Sequence, residues 1–225
     1  MGKLFSLTAA DSFKLGAYRA DPSGAAKGGV VVIQEIFGVN HHIRAVCDRI
    51  AAQGYTAIAP ALFDRQHPAF ESGYTPDEIA NARKFVANPD WGAMMRDTQA
   101  AIDEARKVGP AAIVGFCMGG SIAFLAAAKL TGLSAAIGYY GGQIAKNADE
   151  KPKVPVMLHF GEKDAAIPMS DVELIKQKRG GDCEIYVYAG ADHGFNCEER
   201  GSYNEAAAKL ARERSVAFLN KHMKR

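Results

Sequence analysis

The stretch AAIVGFCMGGSIAFLAAAKL, Ala111 to Leu130, decides the fold. Ala111 to Phe116 is apolar or glycine at every position, as a strand covered on both faces must be. From Gly119 to Leu130 the residues are strong helix formers with an apolar face. The two halves meet at GFCMGG, Gly115 to Gly120, with nothing left over for an ordinary loop, so the chain turns sharply from strand to helix at Cys117. Gly115 and Gly119 suit that crowded turn because they carry no Cβ. Cys117 then stands at a helix start, where exposed N–H groups and the helix dipole favour a thiolate.

Reading outward, short apolar runs alternate with longer stretches of helical period, the order expected of a mostly parallel sheet with helices on both faces. Strands are predicted at Gly29–Gln34, Thr56–Ala59, Ala111–Phe116, Ser134–Tyr139, Val154–Phe160 and Glu184–Tyr188. Helices are predicted at Asn40–Gln53, Pro76–Ala87, Trp91–Val108, Gly119–Leu130, Ser170–Lys178 and Ser202–His222. Two strands, Leu4–Thr8 and Phe13–Arg19, precede these and are expected to form an antiparallel edge hairpin through a turn at Ala10 to Ser12. A glycine-flanked nucleophile between strand and helix marks the α/β-hydrolase fold, a doubly wound parallel sheet with helices on both faces. No repeat, low-complexity run or linker interrupts it, so residues 1–225 are expected to form one domain. The long segment Ala61 to Thr75 fits a lid or a plain surface excursion equally well.

Composition narrows the function. The chain has 225 residues, 48% hydrophobic and 23% charged, enough to bury a core without disulfide or metal. Lys and Arg number 27 against 25 Asp and Glu, a net charge of +2 that offers no electrostatic reason for a nucleic-acid or anionic-membrane partner. No apolar run approaches the roughly 20 residues of a spanning helix, and MGKLFSLTAAD lacks the pattern of a signal peptide. Cys47, Cys117, Cys183 and Cys197 show no close pairing, so neither a zinc site nor a redox motif is expected. The reading is a cytoplasmic protein, monomer or small homo-oligomer, without cofactor or metal.

A nucleophile of this kind needs a base and a group to orient it, and in this fold they follow in the order nucleophile, acid, histidine. Asp164 in LHFGEKDAAIP and His193 in YVYAGADHGF stand just after strands, where the active-site loops of open parallel sheets lie. His159, inside a strand, and the His41–His42 pair compete for the base, although adjacent residues on a helix face different ways. Upstream, QEIFG at Gln34 to Gly38 follows the strand VVVI. The fold draws one oxyanion N–H from this exit loop and another from the residue after the nucleophile, which assigns Ile36 and Met118. Glu35, beside a strand end, must find a partner or stay wet.

Together QEIFGVN, GFCMGG, YYG at Tyr139 to Gly141, GEKD and AGADHGF resemble the dienelactone hydrolase family over about Val30 to His222. The resemblance implies a Cys-His-Asp triad of Cys117, His193 and Asp164 that opens a small lactone. It also implies that Glu35 holds the resting thiol, and that Phe37, Tyr140 and Phe195 contribute to the substrate site. Family members grip a substrate carboxylate with two arginines. Here Cys197 falls where one of them belongs, and Arg83 lies in the region of the other, with Arg200 a further candidate. The natural partner is therefore a small ester or lactone. A generalist esterase, a thiol-redox protein and a non-catalytic scaffold on the same fold stay open.

Overall fold

The computed structural model describes residues 2–224. The elements run β1 (Lys3–Thr8), β2 (Lys14–Ala20), β3 (Gly29–Ile33), α1 (His41–Ala52), β4 (Thr56–Pro60), α2 (Pro76–Arg83), α3 (Trp91–Arg106), β5 (Ala111–Phe116), α4 (Met118–Lys129), β6 (Leu133–Tyr139), β7 (Val156–Gly161), α5 (Met169–Arg179), β8 (Cys183–Tyr188) and α6 (Glu205–His222). All eight strands join one sheet in the order β1-β2-β4-β3-β5-β6-β7-β8. From β3 onward the pairings are parallel, while β1–β2 is the antiparallel hairpin expected at the edge and β2 joins β4 antiparallel.

Every residue of β3, β4, β5 and β7 is buried, the mark of strands covered on both faces. Along β5, Val114 and Phe116 line a cleft with Val46 and Ile50 of α1 and Val216 and Leu219 of α6. Gly115 points the other way, onto the first turn of α4. Alternation along the strand thus puts α1 and α6 on one face and α4 on the opposite one, with α3 packed beside α4. The sheet is doubly wound, and this is the α/β-hydrolase fold.

Boundaries differ from the predicted ones for local reasons. The helix after Pro76 keeps its α form only to Arg83 and tightens into a 3₁₀ turn at Lys84–Val86, where Phe85 leans on Phe63 and Phe70 with ring centroids 5.2 and 4.1 Å away. The last helix starts three residues later than predicted because the Asn204 side chain accepts the N–H of Ala207 and caps it there. Pro155 keeps the start of β7 at Val156 rather than Val154.

β4 lies on one side of β3 and β5 on the other, so the chain reverses direction across the sheet between β3 and β5. Open α/β sheets gather their sites at this switch, outside the carboxyl ends of the strands. Here the exits of β3 and β5 meet, Ile33 being paired with Gly115.

Candidate active site

Cys117 occupies the turn between β5 and α4 with φ 55° and ψ −115°, a left-handed backbone that a side chain adopts only under constraint. The constraint comes from both neighbours: Cys117 N–H donates to the Tyr139 carbonyl at the end of β6, and Gly119 packs on the carbonyl of Ile33. A Cβ on Gly115 would run into the Gly119 backbone. Gly115→Ala should therefore cost at least about 1–3 kcal/mol of stability, read as a lower denaturant midpoint at unchanged slope. Held this way, Cys117 is partly exposed, whereas Cys47, Cys183 and Cys197 are buried.

Asp164 follows β7, and His193 lies in the loop after β8. His193 Nε2 is 3.1 Å from Cys117 Sγ, and His193 Nδ1 is 2.7 Å from Asp164 Oδ2. The other oxygen of Asp164 accepts the N–H groups of Ala166 at 2.9 Å and Ile167 at 3.1 Å, so the buried carboxylate is oriented by backbone. Since a carboxylate can only accept, His193 Nδ1 carries the proton and Nε2 faces the sulfur. The three residues the sequence singled out are brought together in one chain of contacts.

Burial of the ring opposes its charged form, but the hydrogen bonds to Asp164 and Cys117 outweigh this and raise His193 to about 10. A histidine raised on folding contributes stability that is complete below its unfolded value near 6.5 and is lost as pH rises through about 10. The difference in unfolding free energy between the native chain and His193→Gln should accordingly shrink between those two pH values. A difference that grew with pH would contradict the pairing.

The competing histidines are elsewhere occupied. His159, inside β7, is fully buried between Tyr188 Oη at 2.8 Å and Ser215 Oγ at 3.1 Å, and burial lowers it to about 3, a neutral core residue. His41 points outward to Glu199, 2.6 Å away, while His42 turns inward onto Phe116. The pair diverges, as adjacent helical positions must.

Among the described residues, neither the Ile36 nor the Met118 N–H donates a hydrogen bond. Glu35 is 1% exposed, and its Oε1 accepts from Arg200 Nη1 at 3.0 Å. The contact with the resting thiol that the resemblance implied is not the one present: Cys117 faces His193, and Glu35 faces Arg200. Arg200 also lies over the Phe37 ring, 5.7 Å from its centroid, and it fits there because Gly194, at φ 80°, leaves room where a Cβ would collide with the guanidinium. Arg200 is therefore no free surface charge. Its signal in the sequence was only its place in the base loop, seven positions after His193.

Phe37, Tyr140 and Phe195 are all sealed. Tyr140 and Phe195 pack against each other, 5.5 Å between centroids, and Tyr140 stands 5.1 Å from the His193 ring. Tyr140 backs the imidazole, and all three offer a substrate no open surface. Arg83, at the end of α2, is exposed and forms no ion pair or side-chain hydrogen bond among the described residues. The segment from Ala61 to Thr75 is tied to the β3 exit, Gly38 bridging to Glu71 and Ser72 N–H donating to the Phe37 carbonyl.

No helix among the described residues is long and apolar enough to cross a membrane. The family model for the dienelactone hydrolase family matches residues 15–223. A Synechocystis sp. protein provisionally named carboxymethylenebutenolidase is 39% identical over 95% of this chain and 94% of its own. The carboxymethylenebutenolidase of Pseudomonas putida is 34% identical over 95% and 94%. A Klebsiella pneumoniae crystal structure, provisionally a dienelactone hydrolase, superposes with a TM-score of 0.85 at 33% identity, covering 98% of this chain and 99% of that one. Relatives this similar, aligned across almost their whole length, and a family match running from β2 to the end of the last helix make the chain a hydrolase of the dienelactone hydrolase family.

Proposed function

We propose that the protein hydrolyses a small lactone or carboxylic ester through a thioester formed on Cys117. The observation that carries this reading is the unbroken series Cys117 Sγ, His193, Asp164, with contacts of 3.1 and 2.7 Å at a partly exposed turn. The Cys117 thiolate attacks the carbonyl carbon, forming a C–S bond, and the Ile36 and Met118 N–H groups receive the developing oxyanion. As the C–O bond breaks, His193 imidazolium gives its Nε2 proton to the leaving alkoxide. The now neutral imidazole takes a proton from water. The hydroxide adds to the thioester and the C–S bond breaks, restoring thiolate and imidazolium. Asp164 keeps Nδ1 protonated throughout. In a lactone the alkoxide stays tethered to the acyl group, so water entry competes with re-closure.

Mass spectrometry of the protein quenched during turnover of an activated acetate ester tests this. An acetyl adduct on the Cys117 peptide, removed by hydroxylamine, is expected; full turnover in which no adduct forms and Cys117→Ala remains active would end the proposal. Arg200 is already paired with Glu35, and Cys197 stands where a family arginine belongs, so the loop that carries His193 offers a substrate carboxylate no unpaired arginine among the described residues. Lactones with and without a free carboxylate should thus differ by less than about tenfold in kcat/KM, or ~1.4 kcal/mol. A strong preference for the carboxylate would show that Arg200 leaves Glu35 for substrate.

A further inference from the structure

Beside the relay lies a second group of side chains that the proposed hydrolysis does not use as a unit. Glu35 comes from the β3 exit, His42 from the first turn of α1 and Cys197 from the loop that carries His193. All three are buried, 1%, 1% and 0% exposed, and their carboxylate, imidazole and thiol atoms lie within 4.8 Å of one another. Glu35 Oε2 and His42 Nε2 have no hydrogen-bond partner among the described residues. Buried polar atoms are paired in all but a few per cent of cases, and each exception calls for something to satisfy it. Two such atoms beside the Cys197 thiol, which is hydrogen-bonded to Tyr74, form a donor set of particular chemistry.

We propose that Glu35, His42 and Cys197 bind one borderline-soft divalent cation of the zinc class. One sulfur, one imidazole nitrogen and one carboxylate oxygen form the donor set that zinc and cobalt(II) accept, whereas magnesium and calcium require oxygen shells. Bonds of about 2.0–2.3 Å at tetrahedral angles place ligand atoms ~3.3–3.8 Å apart, so the group must contract by roughly an ångström. Binding releases the thiol proton to solvent; carboxylate and thiolate then neutralise the two positive charges, and Arg200, held on Glu35 Oε1, meets no net cation. The ion would tie the exit of β3 to the loop bearing His193, two segments joined at present by the Glu35–Arg200 pair. The cysteine spacing gave no hint of this, because the ligands come from three separate stretches of chain.

The test is titration of the metal-free protein with cobalt(II) chloride, run also on Cys117→Ala because the thiol and imidazole of the relay are themselves possible ligands. Both should take up one ion per chain, with near-ultraviolet thiolate-to-cobalt absorption and the visible bands of a four-coordinate ion. Outer-shell changes at metal sites cost about 10–100-fold in affinity, so removal of a ligand by Cys197→Ser should exceed that and abolish the thiolate band. His42→Asn should weaken binding similarly while keeping the band at saturation. Equilibrium dialysis and X-ray absorption of the native chain loaded with zinc chloride need no variant, and one sulfur neighbour is expected. Failure of the native chain to retain zinc, or a thiolate band that survives Cys197→Ser and vanishes in Cys117→Ala, overturns the proposal. Neither readout depends on ester turnover, so this site and the hydrolytic reading stand or fall separately.

Discussion

Cys117→Ala is expected to lower kcat/KM for aryl acetates and small lactones at least about 10⁴-fold, the scale on which nucleophile removal acts when the residues of a relay work as a unit. Its effect on stability should be slight, because the side chain is partly exposed and its backbone geometry is imposed by Tyr139 and the neighbouring glycines. Initial rates of p-nitrophenol release and of lactone opening measure the loss. Retention of a tenth of native activity would remove the sulfur from the chemistry. The same preparation separates the redox alternative: a peroxide sensor would lose its thiol at low peroxide while showing no ester turnover in the native chain.

Asp164→Asn should be nearly as damaging to kcat, about 10⁴-fold, for a reason visible in its hydrogen bonds. The Ala166 and Ile167 N–H groups both point at Oδ1. In the variant they select the amide oxygen, which leaves the NH₂ facing His193 Nδ1. A donor there forces Nδ1 to accept, moves the ring proton to Nε2 and so points an N–H at the sulfur, the wrong tautomer for a base. KM should change little. The basic limb of the pH profile, expected where His193 loses its proton, should move down because the raising hydrogen bond and charge of Asp164 are gone. An unchanged limb would show that Asp164 does not govern the imidazole.

The parts of this protein that sequence made readable are those carried by local pattern. Continuous apolar runs identified β3 and β5, whose every residue is buried, and the glycine-flanked turn from β5 into α4 marked Cys117. Asp164 and His193 followed from their places after strands, since topology fixes which loops gather at the switch point. Contacts across the fold were not readable in the same way. Glu35 and Arg200 are 165 positions apart, and only the closing of β3 against β8's loop makes them partners. The burial of Phe195 and Tyr140 was not readable, because an aromatic next to a reactive group reads the same whether it faces substrate or stands behind the base. Helix ends moved by a turn or less, where one cap, Asn204, or one aromatic stack around Phe85 decides between neighbouring registers.

The bridge between Gly38 and Glu71, with Ser72 bonded to Phe37, couples the 61–75 segment to the strand exit that carries Ile36. If Ile36 serves the oxyanion as proposed, a displacement of the 61–75 segment would drag the strand exit with it and tilt that amide. A substrate large enough to move that segment would then be discriminated by slower chemistry rather than by exclusion.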